Sequence, residues 1–221
     1  MLIVAKDTGV GKTLITGGLA GVFRRRGYLV GNMKPAETGC REENGTLFPE
    51  DALFVMQFSG CKSPIEEICP YRFRDPLAPS VAADREKISI DSEKILLAFE
   101  KIQSLHDVTF VEGIGGFHVP ITKEFLVSDL AERLGLPILV VARLGLGTLN
   151  HTLLTLESAR RRNLRVIGVV LNTLSPPSSI AEETNPGVLA SLTDTPILGV
   201  MPHLPLGRDE TPDLGYLIDK V

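Results

Sequence analysis

The sequence predicts an α/β fold: a mostly parallel, twisted sheet with helices on both faces, formed as one domain over residues 1–221. Three observations carry that expectation. Short apolar runs rich in β-branched residues recur along the chain, and stretches of helical periodicity alternate with them. The first apolar run also leads through a glycine-bearing loop straight into a helical pattern. Strands that are apolar on both faces need cover on both sides, which is the environment of a parallel sheet.

Taken in order, strands are expected at Leu2–Ala5, Leu29–Met33, Val108–Val111, Pro137–Ala142, Val166–Leu171 and Pro196–Val200. Helices are expected at Lys12–Arg26, Asp91–Leu105, Val127–Leu134 and Thr148–Arg162. In the second helix Asp91 serves as N-cap, while Ile95, Ala98, Phe99 and Ile102 form one buried stripe. Between Lys62 and Arg85 the rhythm breaks at Pro64, Pro70, Pro76 and Pro79. Both flanks belong to the same alternation, so this stretch reads as an excursion or lid rather than a linker. From Arg208 onward the chain is polar and rich in turn formers, and is expected to dock weakly or fray.

Composition narrows the function. Hydrophobic residues make up 43% and charged residues 23%, enough for a core without staples. Lys plus Arg number 23 against 27 Asp plus Glu, a net charge of −4, which argues against a nucleic-acid binder. The three cysteines, Cys40, Cys61 and Cys69, form no C-x-x-C pair, so neither a disulfide framework nor a zinc site is expected. The apolar start ends at Lys6 and Asp7, too early for a signal peptide, and Leu134–Ala142 is too short to span a bilayer. A cytoplasmic protein with no membrane contact is the expectation. His106, His118, His151 and His203 show neither metal spacing nor a Ser-His-Asp order.

The chemistry begins after the first strand, at Lys6-Asp7-Thr8-Gly9-Val10-Gly11-Lys12-Thr13-Leu14. Gly11-Lys12-Thr13 has the form of the end of a P-loop: glycine lets backbone amides approach phosphates, the lysine reaches β and γ oxygens, and the hydroxyl serves Mg²⁺. The strict G-x-x-x-x-G-K-[ST] pattern fails because its first position falls on Lys6. A strand before and a helix after still make this a nucleotide loop of a P-loop fold. Lys34 ends a strand at the carboxyl edge, where ligands bind in open α/β sheets. Thr13, Asp51 and Glu112 offer Mg²⁺ a hydroxyl and two carboxylates, although Asp51 equally suits a helix N-terminus. Gly113, Ile114, Gly115 and Gly116 would bring backbone amides close to a phosphate. Asn172, beside Thr173, is either an adenine-reading amide or an ordinary turn residue.

The loop lacks the K-G-G-x-G-K-[ST] of partition ATPases, since the signature lysine would fall on Asp7. Asp7-Thr8-x-Val10-Gly11-Lys12-Thr13 instead resembles the dethiobiotin synthetases. So do Lys34-Pro35-Ala36-Glu37-Thr38-Gly39, Glu50-Asp51-Ala52, Pro70-Tyr71-Arg72-Phe73 with Pro76 and Pro79, and Glu112-Gly113-Ile114-Gly115-Gly116. Leu144-Gly145 to Asn150-His151, Asn172 and Pro202 follow in the same order, so the resemblance spans nearly the whole chain. Two departures are Ala5, where the family usually opens its loop with Gly, and Gly9, where many members have Glu.

The resemblance implies an ATP-dependent ligase that converts 7,8-diaminononanoate and CO₂ to dethiobiotin, ADP and phosphate, with Mg²⁺. It implies Lys12 and Lys34 as catalytic, with Thr8, Thr38 and Asn150 on the substrate. Pro202, His203 and Leu204 would wall the base, and Asp209 would make a late acidic contact to ribose or base. It also implies a homodimer with active sites at the subunit interface, Asn150 of one subunit meeting the substrate carboxylate in the other's site. The competing readings are a cobyrinate-type amide ligase, for which 221 residues leave no glutaminase domain, and a regulatory or non-catalytic P-loop protein.

Overall fold

The computed structural model describes residues 1–176, 179–203 and 210–218. β1 (Leu2–Ala5) runs into α1 (Lys12–Arg25), and β2 (Val30–Met33) follows. A less regular portion comes next: β3 (Glu37–Thr38), β4 (Arg41–Glu43), β5 (Thr46–Phe48), α2 (Glu50–Ser59), α3 (Ile65–Ile68), β6 (Arg72–Phe73) and α4 (Pro79–Glu86). The alternation resumes with α5 (Ser92–Ser104), β7 (Val108–Glu112), α6 (Val127–Leu134), β8 (Ile138–Arg143) and α7 (Thr148–Arg161). It closes with β9 (Val166–Asn172), α8 (Ile180–Leu192), β10 (Ile197–Met201) and α9 (Gly215–Ile218). None of the described helices is long and apolar enough to cross a membrane.

Six strands form one parallel sheet in the order β10-β9-β8-β1-β7-β2. Each lies within one residue of its expected bounds, as do the four expected helices. Successive side chains of a strand point to opposite faces, and the core divides accordingly. Leu2, Val4, Val111, Val140 and Leu171 pack on one face, and Ile3, Ala5, Phe110, Leu139, Val141 and Val170 on the other. Both faces are therefore dry, and helices must cover both. β1 sits between β7 and β8, so the loop at its carboxyl end opens at the middle of the sheet edge.

The proline-rich stretch is not a lid. Ile68, Cys69 and Phe73 are fully buried and belong to the core. Its backbone takes over where β2 ends: Lys34 N–H donates to Ile68 O at 2.8 Å, Glu37 N–H to Tyr71 O at 2.9 Å, and β3 pairs with β6. The prolines start elements, Pro64 as the N-cap residue of α3 and Pro79 at the first position of α4. Within the described residues 210–218 the chain also departs from expectation, because Leu214 and Leu217 are buried in the core. Leu214 packs against Gly18 of α1 so closely that a Cβ there would lie 2.8 Å from its Cδ1.

A core role for the proline-rich stretch predicts that Phe73→Ala costs about 3–5 kcal/mol, the usual range for truncating a buried phenylalanine. Urea denaturation measures this directly. A loss near zero would restore the lid.

Candidate active site

The phosphate loop is held in shape by left-handed glycines and by a distant asparagine. Gly9 and Gly11 have φ of 69° and 94°. A Cβ on Gly11 would sit 2.1 Å from Asn172 Nδ2, so the position has no room for a side chain. Asn172, at the end of β9, donates that same amide to Val10 O at 2.9 Å. It therefore braces the loop, with one amide proton already committed. Lys12 turns back over the loop, its Nζ donating to Gly115 O at 3.0 Å and to Asp7 O at 3.5 Å. Burial, then the nearby Lys34 ammonium, lowers its pKa to about 8.

An ionic cluster lines the same cavity, with Lys34 and Glu112 buried and the Asp51 side chain nearly half exposed. Lys34 follows β2 and donates to Glu112 Oε1 at 2.5 Å and to Asp51 Oδ2 at 2.8 Å. Thr13, in the first turn of α1, donates its hydroxyl to the same Glu112 Oε1 at 2.9 Å. Burial opposes the charge on Lys34, but Glu112, Asp51 and Glu37 outweigh it and hold the pKa above the ordinary lysine range. Burial likewise opposes the charge on Asp51, and Lys34 outweighs it, so the carboxyl stays below its usual range. Glu112 ends β7, and its second oxygen, Oε2, is buried without a hydrogen-bond partner. An orphaned carboxylate oxygen, a second carboxylate and a hydroxyl form a hard-oxygen set that suits Mg²⁺. No group of three or more His, Cys, Asp or Glu among the described residues could hold a metal. Waters and phosphate oxygens would complete its shell.

These groups open on a cavity of about 510 Å³. Its lining includes Thr8, Gly9, Gly11, Lys12, Thr13, Leu14, Lys34, Thr38, Asp51 and Glu112. Ile114, Gly115, Asn172, Thr173, Pro202 and His203 line it as well. Val10 does not join them, because its side chain is fully buried in the core. Gly113 is a correction: its N–H goes to Ile3 O at 2.8 Å and cannot face a phosphate. Asn150 lies exposed in the first turn of α7, off this cavity. Leu204 and Asp209 fall outside the described residues. A second groove, of about 800 Å³, meets the first at Thr8 and is walled by Phe117, Val119 and Leu154.

The sequence reading missed Glu37, which lines the cavity and is only 6% exposed. Its carboxylate accepts from Asp51 N–H at 2.9 Å and from Ala52 N–H at 3.0 Å. Burial pushes its pKa up to about 7 against the pull of Lys34. The signal was Pro49 ahead of α2, a residue whose side chain cannot cap a helix. The cysteines are free and buried, and burial raises the Cys40 thiol to about 11 and Cys69 well above its ordinary value.

Strand, glycine loop, helix and the lysine–threonine pair define a P-loop nucleotide-binding protein. A family model described as an AAA domain matches residues 1–211. The fold is similar to that of the MinD cell division protein of Aquifex aeolicus, with a TM-score of 0.59 and 17% identity over 99% of this chain and 93% of that one. MinD of Pyrococcus horikoshii, solved with Mg-ADP, has a TM-score of 0.58 and 15% identity over 97% of this chain and 87% of that one. At that identity the likeness concerns the fold alone.

The sequence relatives are more specific. The chain is 41% identical to the ATP-dependent dethiobiotin synthetase BioD of Thermodesulfovibrio yellowstonii, over 91% of this chain and 88% of that protein. It is 37% identical to BioD of Bacillus velezensis, over 99% and 91% respectively. The chain belongs to the dethiobiotin synthetase family of ATP-dependent ligases.

The lowered pKa of Lys12 has a measurable consequence. Burial favours the neutral form of this lysine and polyphosphate favours the charged form, so nucleotide binding near pH 8 should take up protons. Titration calorimetry in buffers of different ionisation enthalpy reads that uptake. It should vanish in Lys12→Met, and equal uptake by both proteins would contradict the assignment.

Proposed function

We propose that this chain, acting as one domain over residues 1–221, joins CO₂ to 7,8-diaminononanoate and closes the ureido ring of dethiobiotin at the expense of ATP. The observation that carries this reading is the placement of Lys34. It is a buried ammonium that lines the same cavity as Lys12 and pairs with the carboxylates of Glu112 and Asp51. A carbamate and a transferring phosphoryl group both need positive charge at that place.

The steps follow from charge and position. One amine of the substrate adds to CO₂ and loses a proton, giving a carbamate. A carbamate oxygen attacks the γ-phosphorus and ADP leaves. The second amine then attacks the carbonyl carbon of the mixed anhydride, phosphate leaves, a proton is lost and the ring closes. Lys12 holds the β and γ oxygens, and Lys34 neutralises the carbamate and the moving phosphoryl group. Thr8 and Thr38 hydrogen-bond the diamine or its carbamate. Thr13, Asp51 and Glu112 would hold Mg²⁺, which neutralises and orients the phosphates when bound. The loop amides from Gly9 to Leu14, together with Ile114 and Gly115, frame the phosphates. Asn172, Thr173, Pro202 and His203 wall the base. The groove that meets the cavity at Thr8 has an apolar wall of Phe117, Val119 and Leu154, which suits the aliphatic tail of the diamine.

The same reading makes the enzyme a cytoplasmic homodimer with shared sites. Asn150 does not line this chain's own cavity, and it lies exposed on α7 one turn before the exposed Leu154. The first turn of α7 presents free N–H groups and a positive dipole end, which suit the substrate's carboxylate in a neighbouring subunit.

Lys12→Gln should lower turnover by ~10²–10³ while the circular dichroism spectrum stays native. Diamine-dependent phosphate release checks this. Release that ignores the diamine would point to a regulatory ATPase instead. For the shared site, Lys12→Gln and Asn150→Ala proteins are unfolded and refolded together. Random pairing makes about half the dimers hybrid, so about a quarter of all sites regain wild-type composition. No gain over the sum of the parents would contradict shared sites.

A further inference from the structure

α2 starts without a cap of its own. Its N-cap residue is Pro49, which offers no side-chain acceptor. The free N–H groups of the first turn go instead to Glu37, Asp51 N–H to Oε1 and Ala52 N–H to Oε2. Glu37 belongs to β3, where its backbone N–H is tied to Tyr71 O and its strand pairs with Arg72. Asp51, in the turn so capped, accepts the Lys34 ammonium. Lys34 and Glu37 lie on one short segment, and its two side chains grip α2 twice: Lys34 holds the Asp51 carboxylate, and Glu37 holds the backbone N–H groups of Asp51 and Ala52.

We propose that Glu37 is a positioning residue for the metal carboxylate: it caps α2 from β3 and thereby sets where the Asp51 side chain stands. Each of its oxygens accepts a backbone N–H of the first turn of α2, so Glu37 acts through the placement of Asp51. Removing the cap frees the first turn, and Asp51 then loses its fixed distance to Glu112 and Thr13. The inference rests on Asp51 being a ligand of the ATP-bound metal, so its test includes a variant that checks that reading separately.

The test is the affinity of the ADP complex for Mn²⁺, a spin-active ion with the same preference for oxygen ligands, read by electron paramagnetic resonance. Glu37→Ala should weaken binding about tenfold, the low end of the range for groups that orient metal ligands. Glu37→Gln keeps one acceptor and should fall between Glu37→Ala and wild type; it carries the test if Glu37→Ala fails to fold. Adding Pro49→Ser to Glu37→Ala should restore most of the affinity, because the serine hydroxyl supplies α2 with its own cap. A purely structural role would lower the melting temperature and leave the Mn²⁺ affinity of the folded protein unchanged. Unchanged affinity in both Glu37 variants, with Asp51→Asn weakened, overturns the positioning role alone. Failure of Pro49→Ser to restore binding overturns it as well. Wild-type affinity in Asp51→Asn would remove the metal reading itself, and the inference with it.

Discussion

A lysine ammonium held almost out of water, at the edge of the sheet, is the constraint on which the rest of the site depends. Lys34 is 5% exposed, and a charge so placed is tolerated only if opposite charges meet it with good geometry. Glu112 and Asp51 do so, and they come from β7 and α2. The end of β7, the start of α2 and the end of β2 are therefore fixed relative to one another by a single Nζ atom. β2 is also the last strand of the sheet, so the cover over Lys34 has to come from elsewhere in the chain. Residues 62–85 supply it, with Ile68 and Phe73 buried against the core.

A second cation stands close by. Lys34 is one reason the pKa of Lys12 falls, after burial itself. Two lysines line one cavity, and the charge of Lys34 disfavours the charged form of Lys12, which suits the cavity to an anion. Preorganised charge of this kind stabilises phosphoryl transfer without reorganisation during the reaction. The loop that carries Lys12 is fixed independently, by Asn172 from β9 and by the lack of space for a Cβ at Gly11.

Much of this was legible in the sequence, because strong periodicity and backbone chemistry are local signals. β8, with Ile138 to Ala142 buried throughout, could hardly be anything but an inner strand. Lys12, Thr13, Lys34 and Glu112 each follow or end a strand on the same sheet edge, and the structure brings them to one cavity. The errors arose where partners are distant. Gly113 looked available, yet its N–H pairs with Ile3 in the neighbouring strand. The prolines suggested an excursion or lid; the excursion is there, but Pro64 and Pro79 begin helices and Ile68 and Phe73 are held in the core, so it is no lid. α8 carries Pro186 and Gly187 in its interior, which hid a helix that packing on α7 and β10 sustains. Glu37 was hidden because the N–H groups it satisfies belong to a helix more than a dozen residues away.

The role of Lys34 is tested most directly by observing the carbamate itself. Isotope-labelled CO₂, the diamine and a non-hydrolysable ATP analogue are mixed with wild-type protein and with Lys34→Ala, and the bound carbamate is followed by carbon NMR. Calorimetry on the same samples gives the nucleotide affinity. A carbamate signal present in wild type and lost in Lys34→Ala, with nucleotide affinity nearly unchanged, is the result expected of a lysine that serves the carbamate and the transferring phosphoryl group. An undiminished carbamate signal in Lys34→Ala, with nucleotide affinity collapsed, would contradict it and assign Lys34 to the nucleotide half of the site.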